Sequence, residues 1–233
     1  MKKLPKSVVL LSALGLVLCM VPLALAEEMA DVEARGLVDK SRITVESFLA
    51  DKDMAWLRDH MKDAKGLLII PELLKGGFIL GGSGGSAVFL VRDEKTGKWS
   101  EPAFYTMGSV TFGLQIGGEK AEVIMIVNSV KGIESLYTSS VKLGAGASIA
   151  AGPVGAGAGA KANLNADFLS FARTKGAYVG ISLEGAVIDI RDSWNKAYYG
   201  KEVRPVDILV TKKVSNKHSE ALQALLNKAT KKK

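Results

Sequence analysis

Cysteine is almost absent: the one thiol in 233 residues, Cys19, lies inside an apolar N-terminal run. A disulfide framework is therefore excluded, and once residues 1–26 are removed so are a thiol nucleophile and a cysteine-based metal site. Histidine is nearly as scarce. His60 and His218 lie near opposite ends, form no H-x-x-x-H pair and have no acidic or hydroxyl partner by spacing, which argues against zinc. There is no G-x-S-x-G elbow and no GKS or GKT. Glu184 and Asp189 stand five apart in a predicted strand, hence on opposite faces, which defeats a paired-carboxylate reading. No catalytic constellation, cofactor site or metal site emerges. The sequence points to binding rather than turnover.

Glycine, in contrast, is abundant, and 21 of the 25 glycines lie between Gly76 and Gly185. The block opens with GGFILGGSGGSAVFLVR (Gly76 to Arg92), which places Gly81, Gly82, Gly84 and Gly85 between two β-prone runs. A dinucleotide fingerprint needs a helix after its glycines, and Ser86 to Val91 is strand-like instead. Glycines inside a strand mark a bulge, a bend or a close backbone approach. About fifteen extended residues would span roughly 50 Å, against a usual ~20 Å. The run therefore bends sharply or makes two strands, the first corner of a sheet.

Lys2, Lys3 and Lys6 precede an apolar run ending near Pro22, and Ala24-Leu25-Ala26 supplies an A-x-A site. Residues 1–26 read as a signal peptide cleaved after Ala26, with an uncleaved anchor as the alternative. Cleavage implies an exported bacterial protein, periplasmic or envelope-associated. The remainder carries 28 basic and 24 acidic residues, and seven of the basic ones fall after Thr211. The body is near neutral, which argues against a nucleic-acid face.

Helical spacing is predicted for residues 27–62, with Val32, Leu37, Val38, Phe48 and Leu49 on the apolar side and Asp51 capping a second helix. Gly66 to Ile70 is a strand ended by Pro71, followed by a turn. Asp93 to Gly97 is a hairpin loop. Val110 to Ile116 and Glu122 to Val127 form a hairpin about Gly117-Gly118, and VIMIV, apolar on both faces, is central. Leu143 to Ala160 carries no charge and reads as a hairpin with one nearly side-chain-free face. Gly144, Gly146, Gly155, Gly157 and Gly159 are its candidate close-approach surface. Later strands carry Gly180 and Gly185, and helices are predicted at Ser129 to Tyr137, Asp192 to Tyr199, Pro205 to Leu209 and Glu220 to Ala229. The last has an apolar face of Ala221, Leu222, Leu225 and Leu226 beside a basic rim. Lys212, Lys213, Lys217, Lys228, Lys231, Lys232 and Lys233 are candidate anionic-lipid contacts; a disordered, solubilising tail is the alternative.

Ala64 to Asp93, WSEPAFYTMGSVTFGLQIG (Trp99 to Gly117), LGAGASIAAGPVG (Leu143 to Gly155) and NKAYYG (Asn195 to Gly200) together resemble the SYLF domain, over roughly Lys40 to Val210. The resemblance implies a non-enzymatic, phospholipid-binding α+β fold. Its core would be a glycine-rich, mainly antiparallel bent sheet or barrel-like core with packing helices at both ends. The chain is thus expected to divide into 1–26 (signal peptide), 27–63 (N-terminal helical segment packing on the domain), 64–210 (SYLF-like lipid-binding domain) and 211–233 (lysine-rich amphipathic C-terminal tail). An anionic phospholipid membrane is the expected partner, with no nucleic acid and no actin, and a homo-oligomer left open. The alternative is a structural or stress-related envelope protein acting through protein–protein contacts.

Overall fold

Ala34, Leu37, Val38, Ser41, Thr44, Val45 and Phe48 recur at three- and four-residue steps, and all seven are buried along α1 (Lys6–Ala50). In the computed structural model, which describes residues 6–77, 80–112, 117–138, 140–155, 163–174, 177–178 and 183–231, that stripe lies on a curled sheet. Val32 belongs to the other side of α1 and is exposed. Asp51 caps a short 3-10 turn by accepting the Asp53 N–H at 3.0 Å, and α2 (Ala55–His60) follows.

Nine strands form the sheet among the described residues. They are β1 (Gly66–Gly77), β2 (Leu80–Val91), β3 (Ala103–Phe112), β4 (Gly117–Val127), β5 (Val141–Lys142), β6 (Ile149–Ala151), β7 (Phe168–Thr174), β8 (Ala177–Tyr178) and β9 (Val187–Ile190). Their order is β5-β9-β3-β2-β1-β4-β7-β6, with β8 on β7. All pairings are antiparallel except β6 with β7. The expected hairpin between Val110–Ile116 and Glu122–Val127 is absent, because β3 and β4 lie on opposite sides of the β1–β2 pair. That is Greek-key order, β4-β1-β2-β3.

The remaining helices are α3 (Val130–Thr138), α4 (Asp192–Tyr199), α5 (Pro205–Leu209) and α6 (Glu220–Ala229). Leu67, Ile69, Val88, Leu90, Phe104, Ile124 and Ile126 pack with α1, α2, α4 and α6. Leu68, Ile70, Phe89, Tyr105, Met125 and Val127 pack on the other face with α3 and α5. Both faces of the central strands are therefore buried, which explains their unbroken apolar runs.

Only residues 143–148 separate β5 at one edge of the sheet from β6 at the other. Eight strands at ~4.8 Å spacing would hold those edges about 34 Å apart if flat, further than that connection can reach. The sheet has to curl. Asp167 fastens the closure: it accepts the Ser148 N–H and hydroxyl, both at 2.8 Å, and the Ser129 hydroxyl, which in turn accepts the Gly132 N–H at the start of α3. Burial pushes the Asp167 carboxyl up, but the bonds from Ser129 and Ser148 outweigh it and leave it below its ordinary value. A lowered folded-state pKa contributes stability above the unfolded value of about 3.9, lost as pH falls through the folded one. Asp167→Ala should therefore cost about 2–4 kcal/mol at pH 7 in a denaturant melt. The deficit should shrink below pH 4. A deficit that does not change with pH would contradict this role.

Two expected elements differ. β1 continues through Pro71 instead of ending there, with a register shift between Ile70 and Leu73 that absorbs the missing N–H. β1 and β2 pair antiparallel up to Gly77 opposite Gly81, so Gly81 to Gly85 lie inside β2 and are not its corner.

Candidate functional site

Residues directly opposite each other in an antiparallel pair share a face, so register assembles the site. Lys120, Leu74, Gly84, Gly108 and Val187 form one row across β4, β1, β2, β3 and β9. Gly118, Gly76, Gly82 and Val110 form the next row. Both rows continue the face that carries Val88, Phe104 and Ile124 under the helices, but here side chains are exposed: Leu74 is 55% accessible and Val110 73%. The result is an open apolar surface paved with glycine.

These glycines, apart from Gly82, whose Cβ would stand 3.1 Å from the Ser109 carbonyl oxygen, differ in kind from the others. A Cβ on Gly85, which faces the opposite side, would stand 2.5 Å from the Glu72 carbonyl oxygen at the β1 bulge, and a Cβ on Gly152 would enter the Phe171 ring. Packing demands glycine there. Among the described residues, a Cβ on Gly76 meets nothing within 4 Å, and those on Gly84, Gly108 and Gly118 come no nearer than 3.8 Å to any atom. Gly36, mid-helix in α1, also faces open space. Glycine inside a helix or strand costs roughly 0.5–1 kcal/mol relative to alanine, and at these five positions the fold receives nothing in return.

Where α1 meets this face, a groove of about 460 Å³ opens between Gly36 and Leu37 of α1, Leu74 of β1, Gly84 of β2, and Arg191 and Trp194 beside and on α4. The Arg191 guanidinium lies 3.6 Å from the centroid of the Trp194 ring, and its Nη1 donates to Ser86 Oγ at 2.7 Å. Burial lowers the Arg191 pKa, partly opposed by Glu33. On the groove's far wall Glu72 accepts a bond from Lys120 at 2.8 Å, which holds its carboxyl below the ordinary value, with Lys40 at 3.9 Å. This arrangement can hold an apolar chain and one anionic group. It brings no nucleophile to a base.

The sequence-predicted residues lie elsewhere and do not converge. Gly144 and Gly146 sit in a turn after β5, where Gly144 (φ +84°) lies against Glu184. The Gly155 N–H donates to the Asp53 carbonyl at 3.0 Å. Gly157, Gly159, Gly180, Lys232 and Lys233 lie outside the described residues. The hairpin expected over Leu143 to Ala160 extends beyond the described residues; its described strand, β6, pairs in parallel with β7. Gly185 lies in a turn before β9 rather than within a strand.

Residues 211–231 are a docked segment. Leu222 and Leu226 of α6 are fully buried, the Trp99 indole donates to Thr230 Oγ1 at 3.2 Å, and Gln223 donates to the Ser100 carbonyl at 2.9 Å. Lys212 pairs with Asp93 at 2.6 Å and Lys213 with Asp207 at 2.7 Å; Lys217, Lys228 and Lys231 are exposed. The apolar face proposed for lipid is thus already packed. Sequence reasoning missed the glycine-paved face. Its signals were the period-two glycines Gly82 and Gly84 and the mid-helix Gly36.

A family described as "Ysc84: Las17-binding protein actin regulator" matches residues 108–229. An SH3 domain-containing protein of Schizosaccharomyces pombe is 34% identical over 172 residues, covering 72% of this chain and 40% of the relative. LAS seventeen-binding protein 3 of Saccharomyces cerevisiae is 35% identical over 147 residues, 61% of this chain and 32% of the relative. The mouse SH3 domain-containing YSC84-like protein 1 is 30% identical over 172 residues, 72% and 50%. The chain thus spans between 32% and 50% of these relatives' lengths. Two expectations are overturned. A family described as an actin regulator and a relative named for Las17 binding contradict the partner expectation, which excluded actin. The exported, periplasmic or envelope-associated bacterial localisation is corrected too, since these relatives are from two yeasts and mouse.

Proposed function

The chain belongs to the Ysc84 (SYLF) family, and on that premise we propose that it is a non-enzymatic docking domain that holds a protein partner of the actin-regulating machinery on the glycine-paved sheet face. One observation carries this reading: five glycines that neither packing nor backbone requires lie together on one exposed surface. An extended or helical segment of a partner can approach the backbone there more closely than any side-chain-bearing sheet would permit. The exposed apolar residues Leu74, Val110 and Val187 border it, as at the centre of a protein interface.

The phospholipid reading rests on the exposed Lys217, Lys228 and Lys231. It is weakened because the apolar side of α6 is committed to Trp99 and α1, leaving electrostatics alone. Hydroxyl-radical footprinting of the full chain separates the two. With filamentous actin, or with Las17, oxidation should fall at the exposed Leu74, Val110 and Val187. Protection confined to residues 211–231, or produced only by phosphatidylserine vesicles, would refute the docking-face reading.

A further inference from the structure

We infer that the groove at Arg191 is a receptor for one carboxylate side chain on an apolar segment of the protein partner, a specificity that rests on the docking-face reading above. Stacking on Trp194 fixes the plane of the Arg191 guanidinium, and the bond to Ser86 Oγ fixes its rotation. Among the described residues that bond is its one side-chain hydrogen bond, and no carboxylate pairs with it. The other N–H groups form an edge with the fork geometry that accepts a carboxylate in two parallel bonds. A guanidinium already held in place loses little freedom on binding, so more of the interaction appears as affinity.

The neighbouring charges narrow the ligand further. Lys40 of α1 and Lys120 of β4 are drawn to Glu72 of β1, so none of these three is left to act alone. Glu33 of α1 lines the same groove and acts on Arg191 through space, without reaching ion-pair distance. One open cation flanked by an acid suits a singly charged carboxylate and disfavours a phosphate dianion or a densely anionic surface. The walls supply the remainder: Leu37, Leu74 and Trp194 offer apolar contact, and Gly36 and Gly84 leave space for the ligand's main chain. An acidic residue flanked by bulky apolar ones matches both features.

Two synthetic probes test this: acetyl-Leu-Asp-Phe-Leu-amide and its Asn analogue, titrated into the ¹⁵N-labelled full chain. The Asp peptide should shift the Trp194 indole N–H and the Gly84 and Gly108 amides, and should bind at least tenfold more tightly than the Asn peptide. Arg191→Gln should abolish that preference while the weaker Asn-peptide shifts persist, and Glu33→Gln should strengthen Asp-peptide binding severalfold. Equal binding of the two peptides at these amides would overturn the carboxylate receptor and leave the docking face standing. Shifts produced by phosphatidylserine vesicles and by neither peptide would overturn both.

Discussion

Gly85→Ala should leave the chain largely unfolded at temperatures where Gly84→Ala remains native. The two residues are adjacent in β2, with side-chain directions on opposite faces of the sheet. At Gly85 a methyl group would meet the Glu72 carbonyl oxygen at 2.5 Å, Ile70 Cγ2 at 3.0 Å and Leu73 Cα at 3.3 Å. Two of those three atoms are backbone, held at a β1 bulge that is itself paired on both sides, to β2 and β4. Relief would mean shifting a central strand, so the cost should reach ~3 kcal/mol or more, the upper end for overpacking. Against a typical total of ~5–15 kcal/mol that is a large share. At Gly84 the nearest atom to an added Cβ is a carbonyl 3.8 Å away, an ordinary contact, and alanine should even stabilise slightly. Denaturant melts of both variants decide the matter. Equal midpoints would show that the bulge does not press on β2 as described.

The same contrast explains which parts of the structure were legible in the sequence. The helices were, because burial at three- and four-residue spacing is local information: Leu37, Val38 and Phe48 fall on the buried stripe, and α3 to α6 lie close to their predicted spans. The α+β class and the bent, mainly antiparallel sheet followed from the same patterns together with the family motifs. Strand partnership did not. Gly117-Gly118 has the composition of a turn, yet it begins β4 and pairs with Gly76-Gly77 of β1, some forty residues earlier. Pro71 suggested a stop, although a bulge lets a strand pass a residue without an N–H. The amphipathic α6 carried an apolar face in either environment, and only tertiary contact shows that Trp99 occupies it. Nor does composition separate a glycine forced by Phe171 from one left bare. Gly152 and Gly84 read alike until the register across five strands is known.

That register leads to the second large effect. Gly76 and Gly108 lie in adjacent rows of the open face, in ordinary extended backbone, with at least 3.9 Å of clearance for a Cβ. Valine at both positions should raise strand propensity, by up to ~1 kcal/mol each on host scales, while lifting two branched side chains into the space a partner would occupy. Stability and binding should therefore move in opposite directions, which a merely structural role for these glycines cannot produce.

The most direct measurement takes both readings on the same Gly76→Val, Gly108→Val sample, a thermal melt and a co-sedimentation titration with filamentous actin, with Las17 capture in parallel. The docking account predicts a midpoint equal to or above that of the native chain and affinity reduced at least tenfold. A stable variant that binds as tightly as the native chain, or a native chain that binds neither partner, would contradict it.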